Sequence, residues 1–263
     1  MICCVYGFNL NDIKFIRGEA TIIQIPKNAT ITIKNTYTTY NINNKTLLII
    51  PISYKNKANS LKLCINNTCK NIQINNGEYL QTQIKEEITV NENKVKPDPQ
   101  MQERIKKEYL VASKAYSTKT KTLFLKQPFK QPLNSMITSP FGTARVFNGV
   151  LKSYHSGTDF RANIGTDIIS ANAGKIVIAD DRYYAGKSVI IDHGYGIFSQ
   201  YYHLNEILVK KGQNVKKSHL IGKSGATGRV SGPHLHFGIA INGISVNPLK
   251  FIHTFNKIAF EGK

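Results

Sequence analysis

Three short segments collect the residue types that metal chemistry uses: His155-Ser-Gly-Thr-Asp159, Tyr201-Tyr-His203-Leu204 and Gly232-Pro-His234-Leu-His236-Phe237. Catalytic zinc takes imidazole nitrogen, thiolate or carboxylate from three protein ligands and keeps a fourth position for water. His155 and Asp159 lie four residues apart, close enough to reach one ion from a single turn or loop. His234 and His236 lie two apart in a run expected to be a strand, so both point to one face. One of them can bind a metal while its neighbour faces the position left for water. Two histidines and an aspartate form an N/N/O set that suits zinc. There is no His-Glu-x-x-His helix, and between residues 120 and 255 the only glutamate is Glu206. The general base is therefore expected to be a histidine, or an aspartate off the metal. His203 and the unligated member of the His-x-His pair are the candidates.

Other side chains near these segments carry open alternatives. Arg145 and Arg161 flank them and could hold substrate carboxylates bidentately, or simply face solvent. His193, between Asp192 and Gly194, is expected to support a turn, and His219 and His253 to lie on the surface. The glycine-punctuated stretch Gly222–Gly228 lacks the Gly-Lys-Ser/Thr ending of a phosphate loop and is expected to shape a groove. Tyr183 and Tyr184 suit either a groove rim or core packing.

These groups need elements to position them, and the pattern is mainly β. Residues 8–95 read as a small β-sandwich-like domain, with short strands such as Ala20–Pro26, stopped by its proline, Thr46–Pro51 and Ser60–Cys64, separated by Asn and Gly clusters. Residues 96–124 read as a helical linker. Asp98 and Pro99 are expected at its N-cap and first position, with Ile105, Tyr109, Ala112 and Tyr116 on one face. Residues 125–252 are strand-rich again, and 253–263 read as a tail. All 7 histidines follow residue 150, which places the chemistry in the second strand-rich region.

Taken in order, His155-Ser-Gly-Thr-Asp159, Tyr202-His203-Leu204 and Gly232-Pro-His234-Leu-His236-Phe237 resemble the LytM/lysostaphin-like zinc endopeptidases, the M23 peptidase family. Ile137-Thr-Ser-Pro-Phe-Gly142, Ile190-Ile-Asp-His-Gly194 and Ile221-Gly-Lys-Ser-Gly-Ala-Thr-Gly228 match as well. The resemblance covers residues 125–252 and implies an antiparallel β peptidase domain with one zinc ion per chain in a groove. It implies His155, Asp159 and His236 as metal ligands and His203 and His234 as the catalytic histidines. It also implies peptidoglycan as substrate, cut at peptide stems or cross-links. Because the whole metal and catalytic pattern is kept, an enzyme is expected; the alternative is a non-catalytic wall-binding or hydrolase-activating protein. The N-terminal domain could dock a membrane or wall partner, or cover the groove.

Composition bounds the setting. The formal net charge of +19 favours polyanionic partners, although scattered lysines also suit a solvated surface. No zinc finger, RNP-like strand or Arg-rich arm points to nucleic acid. No run of about 18 apolar residues suggests a membrane helix. Met1–Gly7 reads as the remnant of a signal peptide, and with the domain order this gives a periplasmic expectation. Cys64 and Cys69 flank an Asn-Asn turn, where a disulfide is expected over two free thiols. Cys3 and Cys4 fall in the leader-like stretch.

Overall fold

The run Leu47-Leu-Ile-Ile50 is buried on both of its faces. In the computed structural model, which describes residues 9–82, 85–118 and 120–261, Leu47 and Ile49 join one hydrophobic cluster while Leu48 and Ile50 join another. Strand side chains alternate in direction, so a strand covered on both sides reads as a continuous apolar run. The strands of this region are β1 (Phe15–Ile16), β2 (Ala20–Ile25), β3 (Ile31–Ile33), β4 (Thr38–Ile42), β5 (Lys45–Pro51), β6 (Ser60–Ile65), β7 (Thr68–Asn75) and β8 (Lys85–Ile88). One sheet runs β1–β7–β6–β3 and another β2–β5–β4. They close on Phe15, Leu48, Ile50, Leu63 and Ile72, giving the expected sandwich. The β6–β7 hairpin turns at Asn66 and Asn67, both with left-handed backbone, and Cys64 is disulfide-bonded to Cys69 across it. Cys3, Cys4 and the leader-like stretch 1–7 lie outside the described residues.

The second strand-rich region holds β9 (Ile137–Ser139), β10 (Ala144–Phe147), β11 (Leu151–Tyr154), β12 (Thr158–Arg161), β13 (Asp167–Ile169) and β14 (Gly174–Arg182). It continues with β15 (Gly186–Asp192), β16 (Ile197–Ile207), β17 (Asn214–Val215), β18 (Leu220–Ser224), β19 (His234–Ile241) and β20 (Ile244–Val246). The large sheet follows the order β17–β14–β15–β16–β19–β12–β9, with β13, β18 and β20 attached beside it. Its core holds Val189, Phe237 and Phe251, and the outer face of the sandwich (Ile22, Tyr40, Leu47 and Ile49) packs into that same cluster.

Three expectations from sequence are corrected here. Residues 8–95 are not a closed unit. Besides sharing a core with the second region, they supply β8, which leaves the sandwich to pair in parallel with β10. Nor does the helical segment merely connect. Of the helices α1 (Glu78–Thr82), α2 (Pro99–Ser117) and α3 (Pro248–Phe260), α2 lies on the large sheet. There Ala112 meets Ile178, Ile190 and Phe198, and Arg104 donates to the Asp181 carbonyl. Asp98 caps α2 with Pro99 in its first turn, as expected, but Tyr109 is 70% exposed instead of sharing the buried face. Last, the 253–263 tail is helix as far as Phe260, capped by Asn247, with Phe251, Ile252, Phe255 and Ala259 buried.

Candidate metal centre

Three neighbouring strands set the floor of the site. Asp159 on β12 stands directly opposite His236 on β19, and His236 stands opposite Tyr202 on β16. Cross-strand partners share a face, and His234, two residues before His236, shares it too. His155 arrives from the turn between β11 and β12, fixed by Gly142 N–H donating to its carbonyl and its own N–H donating to Thr143. Simple alternation would send His203 to the face opposite Tyr202. A bulge prevents this: Val189 pairs Tyr201 and Lys187 pairs Leu204, so Tyr202 and His203 together oppose a single residue. His203 takes φ 63° there, a left-handed conformation costing a non-glycine residue about 1–3 kcal/mol. The bulge thereby turns His203 toward the metal face.

The donor atoms converge. His155 Nε2 lies 2.9 Å from Asp159 Oδ1 and 2.9 Å from His236 Nδ1, and His236 Nδ1 lies 2.9 Å from Asp159 Oδ1. All three side chains are buried. His155 Nδ1–H donates to the Pro140 carbonyl at 2.9 Å, which leaves Nε2 a lone pair aimed at the carboxylate. Converging lone pairs call for a cation. A tetrahedral ion with bonds of roughly 2.0–2.1 Å would separate its ligands by about 3.3 Å, so these groups fit zinc with a small outward adjustment. Burial alone would raise Asp159, yet when His155 and His236 present N–H groups or positive charge to it, the part a cation would play among their lone pairs, its carboxyl is held well below the usual carboxylate range. Burial also pushes His236 down to about 4, against the opposing pull of Asp159. Gly157 makes this packing feasible, since a Cβ there would come within 2.6 Å of His236 Nε2 and 2.5 Å of the Phe237 carbonyl.

The other two histidines stand beside this cluster. His203 Nδ1–H donates to the Thr227 carbonyl at 2.8 Å, and His234 Nδ1–H donates to the Gly232 carbonyl at 2.9 Å. Each keeps Nε2 bare; that of His234 lies 3.6 Å from Asp159 Oδ2, and the two rings are 4.9 Å apart. Burial, then the neighbouring His234 and His236, drives His203 well below the ordinary histidine value, so it is neutral at pH 7. His155, Asp159, His203, His234 and His236 are thus brought together as sequence suggested. His193 is remote from them, buried and bonded to the Ala173 carbonyl and the Ser199 hydroxyl; His219 and His253 are exposed.

Around the site lies a cleft of about 630 Å³. Its walls include Tyr109 and Tyr116 of α2, Tyr154, Tyr184 and Arg229, so the segment read as a linker lines the groove. Arg145 is no free carboxylate clamp. Its Nη2 donates to Asp159 Oδ2 at 2.6 Å and to Ser139 Oγ at 2.8 Å, while Nε donates to Glu86 Oε2 on β8 at 2.9 Å. Arg161 is exposed, as its solvent-facing reading has it. Tyr183 is core, and Tyr184 is rim. Sequence reading gave no individual role to Glu86, Thr227, Tyr202 or Arg229. Tyr202 stacks on His236 at 5.1 Å with 8° between the planes, beneath the Arg182 guanidinium at 4.7 Å. Tyr202 entered only as part of the motif around His203, without its stacking role; Glu86, in a charged tetrapeptide, carried no signal.

Comparison with known proteins bears on this stretch of the chain. Residues 153–248, which hold all five convergent side chains, match Peptidase family M23. This stretch resembles an M23 peptidase domain. The chain is 47% identical over 96 residues to the peptidoglycan DD-endopeptidase ShyA of Vibrio cholerae, covering 36% of this chain and 22% of that protein. It is 38% identical over 117 residues to lysostaphin of Staphylococcus staphylolyticus, covering 44% of this chain and 24% of that one. The chain therefore spans about a quarter or less of the length of these relatives. A solved structure of a candidate M23 peptidase from Pseudomonas aeruginosa superposes over 91% of this chain and 96% of its own, with TM-score 0.70 and 24% identity. That likeness shows that the shared fold extends beyond residues 153–248 to the sandwich and helix.

Proposed function

We propose that this protein is a zinc-dependent peptidoglycan endopeptidase that opens peptide cross-links in wall remodelling or cell shaping. The observation that carries the reading is the buried convergence of His155, Asp159 and His236 with the bare Nε2 atoms of His203 and His234 beside it. Zinc held by those three would polarise a scissile carbonyl and lower the pKa of the attacking water. The rest falls to the chain's own groups. His203 and His234, each fixed in one tautomer, present bases that can take a proton from the water and return it to the leaving amine. The cleft walls formed by α2 and Tyr184 hold an extended peptide across them. Relatives named as peptidoglycan DD-endopeptidases support the substrate class, and the net charge of +19 suits an anionic wall polymer. The Cys64–Cys69 disulfide supports a site of action in an oxidising compartment, for which we propose the periplasm.

The test is digestion of purified peptidoglycan by the zinc-loaded protein, with His236→Ala as control, and mass analysis of the muropeptides. Loss of cross-linked dimers with gain of monomers is expected. Trimming of terminal D-Ala from monomers would instead make it a carboxypeptidase. No change with zinc bound would favour a non-catalytic wall-binding protein.

A further inference from the structure

Three arginines line the cleft: Arg145, Arg182 and Arg229. Arg145 is neutralised by Asp159 and Glu86. Arg182 lies over Tyr202 and donates from Nε to Ser188 Oγ. Arg229 differs from both. Its guanidinium lies 4.2 Å from the centre of the Phe147 ring and 4.4 Å from that of Tyr184. Among the described residues its side chain has no hydrogen-bond acceptor and no carboxylate within ion-pair distance. Nearby acids are spent: Glu108 accepts from Arg104 and from Tyr183 N–H, and Glu86 accepts from Arg145. The half-buried guanidinium has given up part of its water without gaining an anion, in a cleft it shares with the cation of Arg145. An arginine held by ring stacking keeps its forked N–H edge free, and that fork matches a carboxylate.

Its position relative to the chemistry is also fixed. The loop Gly225–Arg229 is pinned at Thr227, whose hydroxyl donates to the Leu204 carbonyl and accepts from Lys187 N–H. The Thr227 carbonyl orients His203, and two residues on, Arg229 N–H donates to the Tyr184 carbonyl. One loop therefore sets both a candidate base and the free guanidinium.

We propose that Arg229 is a specificity-determining residue that binds a free carboxylate of the peptide substrate a few residues from the scissile bond. This rests on the peptidase reading above. Wall peptides offer such a group wherever a side or terminal carboxyl is left outside the amide linkages.

The experiment uses the zinc-loaded full chain, wild type and Arg229→Gln, with a cross-linked muropeptide dimer bearing free carboxylates and its amidated counterpart. Binding is read by calorimetry and cleavage by steady-state kinetics. Wild type is expected to bind the free-carboxylate dimer about 10- to 100-fold more tightly than the amidated one, the range of one charge-assisted contact. Arg229→Gln should lose that preference through KM with kcat little changed, while handling the amidated dimer like wild type, which also shows that it is folded. Arg229→Lys, keeping the charge but not the fork, should recover part of it. Preferential binding without cleavage would support the carboxylate site and sink the peptidase reading. Cleavage of both dimers with equal kcat/KM would overturn the carboxylate site and leave the peptidase reading standing. Neither binding nor cleavage would overturn both.

Discussion

Replacing Arg145 by methionine removes the one side chain that ties Asp159 to β8. Arg145 Nη2 meets Asp159 Oδ2 at 2.6 Å, with the two side chains 15% and 6% exposed, so solvent screens the contact little. Holding Oδ2 leaves Oδ1 to face His155 and His236. A hydrogen bond to a charged group contributes about 1.5–3 kcal/mol, a factor of roughly 10–150. Loss of a group that orients a metal ligand typically costs about 10- to 100-fold in metal affinity. The two estimates agree, and Arg145→Met is expected to weaken zinc binding by about one to two orders of magnitude. Glu86→Gln keeps an acceptor for Arg145 Nε but not its charge, and roughly half the contact energy should remain. Because Glu86 reaches the metal only through Arg145, the double variant should bind zinc no more weakly than Arg145→Met alone. Competition with a chromophoric chelator measures all three, with circular dichroism melts to confirm folding. Wild-type zinc affinity in folded Arg145→Met, or strictly additive losses, would refute this chain of support.

His203→Ala and His234→Ala should each abolish turnover while zinc stays near one per chain by elemental analysis; loss of metal from either would overturn the ligand assignment. Gly157→Ala places a Cβ 2.5 Å from the Phe237 carbonyl and 2.6 Å from His236, so zinc content should fall and the melting temperature drop, with overpacking costing about 1–3 kcal/mol. Buried His193 is pushed down to about 4 from 6.5, so the unfolded chain binds its proton more readily. The stability this contributes is complete above about pH 6.5 and is lost as pH falls toward about 4, on the order of 3 kcal/mol in all. His193→Gln should flatten that acid limb in denaturant titrations; an unchanged slope would show that His193 does not cause it.

The candidate site was legible because its converging side chains sit in short motifs whose spacing mirrors strand geometry. His234 and His236 share a face by alternation, and Asp159 lies opposite His236. The helix start at Asp98-Pro99 was legible for the same local reason, since a cap needs only neighbouring residues. What escaped depends on distant pairing. Lys85-Glu-Glu-Ile88 is too short and charged to advertise a strand, and its partner Ala144–Phe147 lies about sixty residues on. The bulge that turns His203 inward exists only once β15 and β16 are aligned. Arg229 looks like any surface arginine until Phe147 and Tyr184 arrive from elsewhere. The C-terminal helix was the avoidable miss: Asn247-Pro248 is a capping signature, and Phe251 and Phe255 follow at helical spacing.

That final helix also ties an earlier-made part of the chain to a later-made one. Asn43 donates to the Ala259 carbonyl and Lys45 to that of Ile258, while Asn242 donates to the Tyr37 carbonyl. A polypeptide emerging from the ribosome presents Tyr40, Leu47 and Ile49 long before Phe251 and Phe255 exist to cover them. Such sequence-distant closure slows folding and leaves strand edges open while translation proceeds. Consequently, premature termination anywhere before residue 248 should yield a sticky, protease-sensitive product, even when every residue of the convergent His/Asp cluster has already been made.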